Sequence, residues 1–196
     1  MRFTLDIDYP VEKMAASRQR LEARTRFACV DRVPVGFCLV PRFFAPVFGI
    51  PYRAIFASPE AHYRWQLEFL KYRLEHIPED LACTEPRLWV APFFDNVLDS
   101  AAFGAEVVWP ENETLHTRPV IASIEQMEQY PMPAPGTGMW RQCAEWCAAM
   151  HACACDTRLT FRGAAGQVSV AGPSISGLSP HMIAIDLVGT DFYAWQ

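Results

Sequence analysis

Five soft side chains stand close together near the middle of the second half of the chain: Cys143, Cys147, His151, Cys153 and Cys155, the last three inside the stretch MHACACD. Thiolates and imidazoles are the usual ligands of zinc. Steps of four residues put Cys143, Cys147 and His151 on one face of a helix, with Trp140 and Met150 beside them. An apolar core face has the same appearance, because free cysteine behaves as a small buried hydrophobe and histidine in a last helical turn is favoured by the dipole. Zinc sites pair cysteines two to four residues apart with a second pair elsewhere, and no second pair follows here. The stretch therefore reads as structural, with no metal and no cofactor. His62, His76, His116 and His181 stand singly, outside any cluster of acidic or thiol ligands, and read as surface or core.

The elements that would position any site follow from pattern. SRQRLEARTRFACVD from Ser17 reads as a helix behind a serine cap, ending before Pro34. VPVGFCLV, apolar on both faces, reads as a buried parallel strand, and PRFFAPVFGIPY as an aromatic loop. Ser58, Pro59 and the stripe Tyr63, Leu67, Leu70, Leu74, Ile77 predict a helix that Pro78 stops. DLACTEPRLWVAP predicts a second strand, EVVWPENE a short extended piece, and Ser123 with Gln126 a capping box. PMPAPGTG is a loop, Met139 to about Met150 a helix, TRLTFRG and QVSVAG strands, and HMIAIDLVGTDFYAW a partly apolar closing segment. Alternating strands and helices predict an α/β fold with a parallel sheet.

Composition bounds what such a domain does. Of the 196 residues, 51% are hydrophobic and 20% charged, enough for a core and too little charge for disorder. A net charge of -5 argues against nucleic acid. No apolar run reaches membrane-helix length, and MRFTLDIDYP lacks the pattern of a secretory signal, so no membrane and a cytoplasmic location are expected. Seven cysteines, an odd number, then read as reduced thiols.

In order and spacing, several segments resemble the uroporphyrinogen decarboxylase family. They are SRQRLEARTRFACVDRVPVGF with its Asp-Arg-x-Pro-Val entry, AAFGAEVVWPENE with RPVIASIEQMEQYPMP, and GPSISGLSPHMIAIDLVGTDFY. The likeness runs over nearly the whole chain, treated as one domain, 1–196. Members of this family are (β/α)8 TIM barrels, and a full barrel takes about 250 residues. The resemblance thus implies a partial barrel, its first three or four strands in a parallel sheet, truncated at the C-terminal end. A homodimer or a complementing second chain would cover the open edges.

The family acts on tetrapyrroles. The resemblance implies decarboxylation of a porphyrinogen or a related tetrapyrrole without a cofactor, with arginines holding substrate carboxylates and an acid where charge develops. Barrel enzymes carry such groups at strand ends. That places Arg42, Arg87 and Arg162 as substrate-binding residues and Glu85 and Asp95 as catalytic carboxylates. Where the decarboxylases carry Arg-Gln-Ala-Gly-Arg, this chain has Leu39-Val40-Pro41-Arg42-Phe43. Cobamide methyltransferases of the same family use zinc, and His151-x-Cys153 matches half of their ligand pattern. Outside catalysis stands a barrel fragment that acts only by association.

Overall fold

The computed structural model describes residues 3–172 and 178–190. Pro173 to Gly177 of the Gly-Pro segment and the stretch from Asp191 onward lie outside the described residues. In chain order the elements are β1 (Phe3–Ile7), α1 (Val11–Thr25), α2 (Pro41–Val47), a 3-10 turn (Tyr52–Phe56), α3 (Pro59–His76) and β2 (Arg87–Val90). Then come α4 (Leu98–Ala102), β3 (Glu106–Val108), β4 (His116–Arg118), α5 (Ile124–Glu128), α6 (Gly138–Cys155), β5 (Thr157–Phe161), β6 (Ala164–Val170) and α7 (Pro180–Val188). None of these helices is long and apolar enough to cross a membrane.

Four strands form the main sheet in the order β1-β5-β6-β2. β1 runs parallel to β5 and β2 parallel to β6, but β5 and β6 are antiparallel. This overturns the partial (β/α)8 barrel and its all-parallel sheet. The cause lies at Arg162-Gly163, where two successive residues take positive φ, 48° and 84°. That is the backbone of a two-residue hairpin turn, and it folds β6 straight back along β5 with no room for a crossover helix. The mixed order also sets the earliest strand beside the fifth, which a barrel built strand by strand would not do.

Each strand alternates in burial, so the sheet has one covered face and one open face. Leu5, Ile7, Leu88, Val90, Leu159, Phe161, Val168 and Val170 are buried under α3 and α6. Thr4, Asp6, Arg87, Trp89, Arg158, Thr160, Gln167 and Ser169 take the alternate positions on the other face. Parallel sheets covered on both sides need continuous apolar runs; here α3 and α6 cover one side only, and period-two alternation suffices.

α3 forms as its sequence demands. Ser58 accepts the Ala61 N–H at 3.1 Å, Pro59 opens the first turn, and Ile77 turns extended because Pro78 follows. Its buried face carries Tyr63, Leu67 and Leu74 onto the sheet. α1 differs from expectation: it begins at Val11, and Ser17 sits buried inside it rather than capping it. It ends by Thr25, and Phe27, with φ 52°, is 98% exposed.

VPVGFCLV, expected as the first buried strand, pairs with no strand and lies largely exposed, while PRFFAPVFGIPY folds into α2 and the 3-10 turn. Those two elements pack an aromatic cluster, Phe44, Tyr52 and Phe56 with Phe69, Phe94 and Trp146. A third, small cluster joins Ala105 and Ile121 to Leu187 and Val188 of α7. β3 and β4 make a separate antiparallel pair.

Candidate functional site

α6 resolves the opening question of the soft side chains. The helix runs on to Cys155, and its buried stripe is Cys143, Cys147, Met150 and Cys153, whereas His151 and Cys155 face solvent. Steps of four drift around a helix of 3.6 residues per turn, so by His151 the series has left the buried face. Burial, with the neighbouring Cys147, pushes the Cys143 thiol up to about 11, and burial likewise raises Cys153. Protonated thiols are poor ligands and poor nucleophiles. Among the described residues no three His, Cys, Asp or Glu side chains are placed to hold a metal ion.

The three arginines do not converge. Because β5 and β6 are antiparallel, Arg162 at the end of β5 lies at the opposite end of the sheet from Val90, where β2 ends. Its Nε is 2.5 Å from Asp8 Oδ1, and the pair is exposed. Arg87, at the start of β2, donates from Nη1 to Ser169 Oγ at 3.0 Å and lies 5.7 Å from the Trp89 ring centre. Glu85 is its neighbour, with Oε1 3.2 Å from Arg87 Nε. Arg42 stands apart from both, exposed in the first turn of α2.

Asp95 is held by two hydrogen bonds. Tyr52 donates its hydroxyl to Asp95 Oδ1 at 2.7 Å, and Leu115 donates its N–H to Oδ2 at 2.8 Å. Burial raises the Tyr52 pKa, the hydrogen bond and charge of Asp95 raise it further, and the Arg42 charge opposes them. Asp95, itself at φ 49°, thus ties the 3-10 turn to the chain entering β4. Both its oxygens are committed to that task.

Between α2, α3 and β2 the surface opens into a groove of about 270 Å3. Phe69, Trp89 and Phe93 give it aromatic walls, Pro41 and Val40 close one side, and Gln66 and Arg73 bring polar groups. Trp89 is 58% exposed on an edge strand whose neighbours Leu88 and Val90 are buried. Gln66 stands in for a missing strand: its Nε2 donates to Ala91 O at 2.8 Å and its Oε1 accepts Ala91 N–H at 3.0 Å. One turn earlier, His62 accepts the Phe93 N–H on Nε2 at 3.2 Å and therefore donates from Nδ1 to Ile55 O at 3.1 Å. Fully buried, it is held neutral, its pKa pushed down to about 4 by desolvation. Sequence reasoning passed over this groove, although Gln66, Phe69 and Arg73 share one helix face and Trp89 breaks the apolar alternation of its strand.

A second set of charges lies at the far end of α3. Asp80, 1% exposed, accepts from Ser17 Oγ and Arg20 Nη1 at 3.0 Å each, from Arg32 Nη1 and Nη2, and from Val35 N–H. Burial alone would raise its pKa; the Arg32, Val35 and Ser17 hydrogen bonds prevail and bring it to about 2. Glu79 is matched with Arg73 in the same way. The cavity beside them, about 500 Å3, is lined by the paired Arg20, Arg32 and Asp80, by Glu79, and also by Lys13, Glu75 and His76. In comparisons with family models, curated proteins and solved structures, nothing was found that matches this chain.

Proposed function

We propose that this chain binds an anionic porphyrinogen or related tetrapyrrole in the groove between α2, α3 and β2, as part of a uroporphyrinogen-decarboxylase-like enzyme. The reading rests on the family likeness of the sequence, and one structural observation supports it above others. A solvent-facing tryptophan on a strand that otherwise buries its neighbours stands in an aromatic groove at the carboxyl end of that strand. Such a surface stacks on a flat pyrrole unit and gains from removing it from water. Arg42, next to Pro41 at the rim, forms no ion pair among the described residues and supplies the free guanidinium for a substrate carboxylate. Arg73 is already shared with Glu79 and the Phe37 carbonyl and serves to shape the wall.

Arg162 is paired with Asp8 at the other end of the sheet, and Arg87, although 5.7 Å from the Trp89 ring centre, is engaged with Ser169 and Glu85, so the proposal gives neither arginine a carboxylate of the substrate. A cytoplasmic location fits this reading. Zinc-dependent methyl transfer has no specific observation in its favour.

Titration with a carboxylated porphyrin, followed by quenching of tryptophan fluorescence, tests the proposal. Saturable quenching that Trp89→Ala abolishes and Arg42→Ala weakens by about tenfold is expected, as for loss of one charge-assisted contact. Absence of saturation, or binding indifferent to both substitutions, would remove the groove as the site.

A further inference from the structure

The exposed stretch 33–40 carries an uneven pattern of backbone hydrogen bonds. Val35 donates its N–H to Asp80 Oδ2 at 2.9 Å, and its carbonyl accepts the Asp80 N–H at 2.7 Å. Phe37 repeats the arrangement, donating to Glu79 Oε2 at 3.1 Å and accepting from Arg73 Nη2 at 2.7 Å. In an extended chain residues i and i+2 direct their N–H and C=O groups to the same edge, and the residues between them use the other edge. One edge of this stretch is therefore filled by the groups of residues 73–80. By that alternation Gly36 and Cys38 belong to the second edge; both are exposed, and neither has a backbone hydrogen-bond partner among the described residues.

Elsewhere the chain guards its edges. The Lys71 ammonium donates to the Asp6 carbonyl on the outer side of β1, and the Gln66 amide occupies Ala91 just beyond β2. On the second edge of 33–40 no charged side chain among the described residues does so, and Val33 (77% exposed), Phe37 and Val40 leave it flanked by apolar surface. Natural sheet proteins cover an edge of that kind.

We infer that this edge pairs with the same stretch of a second copy of the chain, antiparallel about Gly36. The stretch is suited to itself. With Gly36 facing Gly36 of the partner subunit, the two glycines exchange both backbone hydrogen bonds. On either side the Cys38 N–H meets the carbonyl of Pro34 of the partner subunit, and a proline has no N–H to be left without a partner. No charge in 33–40 opposes its like across the axis. Gly36 is also what lets the strand lie flat, since a methyl group there would stand 2.8 Å from the Leu81 side chain. The contact is a short two-stranded seam with an apolar margin, in the class of weak, reversible dimers.

Sedimentation equilibrium of the whole chain under reducing conditions, over a wide concentration range, gives a monomer–dimer equilibrium. Cys38→Pro deletes an N–H of the open edge while leaving the Val35 and Phe37 bonds alone, and weakens that equilibrium by about tenfold or more, with unchanged circular dichroism. If that variant does not fold, hydrogen exchange on the unaltered chain decides. The Gly36 and Cys38 amides are then protected at high concentration and exchange freely on dilution, while the Val35 amide is protected throughout. A monomer at every concentration overturns the inference, even if a foreign extended peptide protects the same two amides. So does a dimer in which these amides exchange freely or which Cys38→Pro leaves equally tight.

Discussion

Arg32 grips Asp80 with both terminal nitrogens, Nη1 2.5 Å from Oδ2 and Nη2 2.8 Å from Oδ1, and so fixes the start of the exposed stretch to the end of α3. Removing the buried member leaves Arg20 Nη1, Ser17 Oγ and the Val35 N–H without their acceptor, while Arg20 keeps Asp31. Asp80→Ala is expected to cost about 3 kcal/mol, the low end for a broken buried pair because Arg32 is half exposed. Urea unfolding measures the loss, and a change under about 1 kcal/mol would show that the clasp is not needed.

Acid acts on the same pair. Asp80 holds a pKa of about 2 against an ordinary value of 3.8, so the unfolded chain takes up this proton first. The stabilisation is complete above about pH 4 and disappears as pH falls toward about 2. Asp80→Asn should remove that part of the acid transition, which a series of thermal melts between pH 2 and 5 would reveal.

His62 adds a separate window at milder acidity. Its pKa of about 4 in the folded chain lies below the ordinary 6.5, so protons bind the unfolded state preferentially between the two. Stability should fall as pH drops from about 6.5 to about 4, by about 2 kcal/mol between pH 7 and 5. His62→Gln is expected to flatten that interval, and an unchanged slope would assign it to other groups.

Thiol reactivity separates the cysteines by burial. Cys29, Cys38 and Cys155 are exposed, while Cys83, Cys143, Cys147 and Cys153 are buried, the Cys83 thiol also raised by desolvation. A disulfide reagent near pH 8 should therefore label three thiols quickly in dilute protein and four only on unfolding. Fast reaction at Cys143 or Cys147 would contradict a structural role for the α6 stripe.

Gln66 and Trp89 predict opposite sensitivities. Gln66→Ala strips both backbone groups of Ala91 of their partner and should cost about 2 kcal/mol of stability. Trp89→Ala, at a site 58% exposed, should cost well under half as much and register in ligand binding instead. Equal losses in thermal denaturation would mean that Trp89 is a packing residue.

What was legible in the sequence was whatever depends on neighbours along the chain. Ser58-Pro59, the stripe from Tyr63 to Leu74 and Pro78 define α3 locally, and Ser123 with Gln126 caps α5 as read, the Ser123 Oγ accepting the Gln126 N–H and the Gln126 Oε1 accepting that of Ala122. The strands at Leu88, Leu159 and Val168 also stand within the segments read as strands, the one at Leu159 from its alternation. Direction was not legible: TRLTFRG and QVSVAG read as strands, but their antiparallel pairing depends on the left-handed backbone at Arg162, a residue type that gives little warning of it. VPVGFCLV has the composition of a buried strand, yet its bonds come from Asp80, Glu79 and Arg73, more than thirty positions later. Phe3–Ile7 was not foreseen at all, since five residues of FTLDI become a strand only beside Thr157–Phe161.

The pairing of β1 with β5 also imposes a timetable on synthesis. Leu5 and Ile7 leave the ribosome well before the segment they lie against, Leu159 to Phe161, which follows far along the chain. At translation speeds of about 5–20 residues per second, the opening strand waits roughly ten to thirty seconds for its neighbour. During that interval two apolar side chains are in the open, and a nascent-chain chaperone has its longest opportunity to hold them.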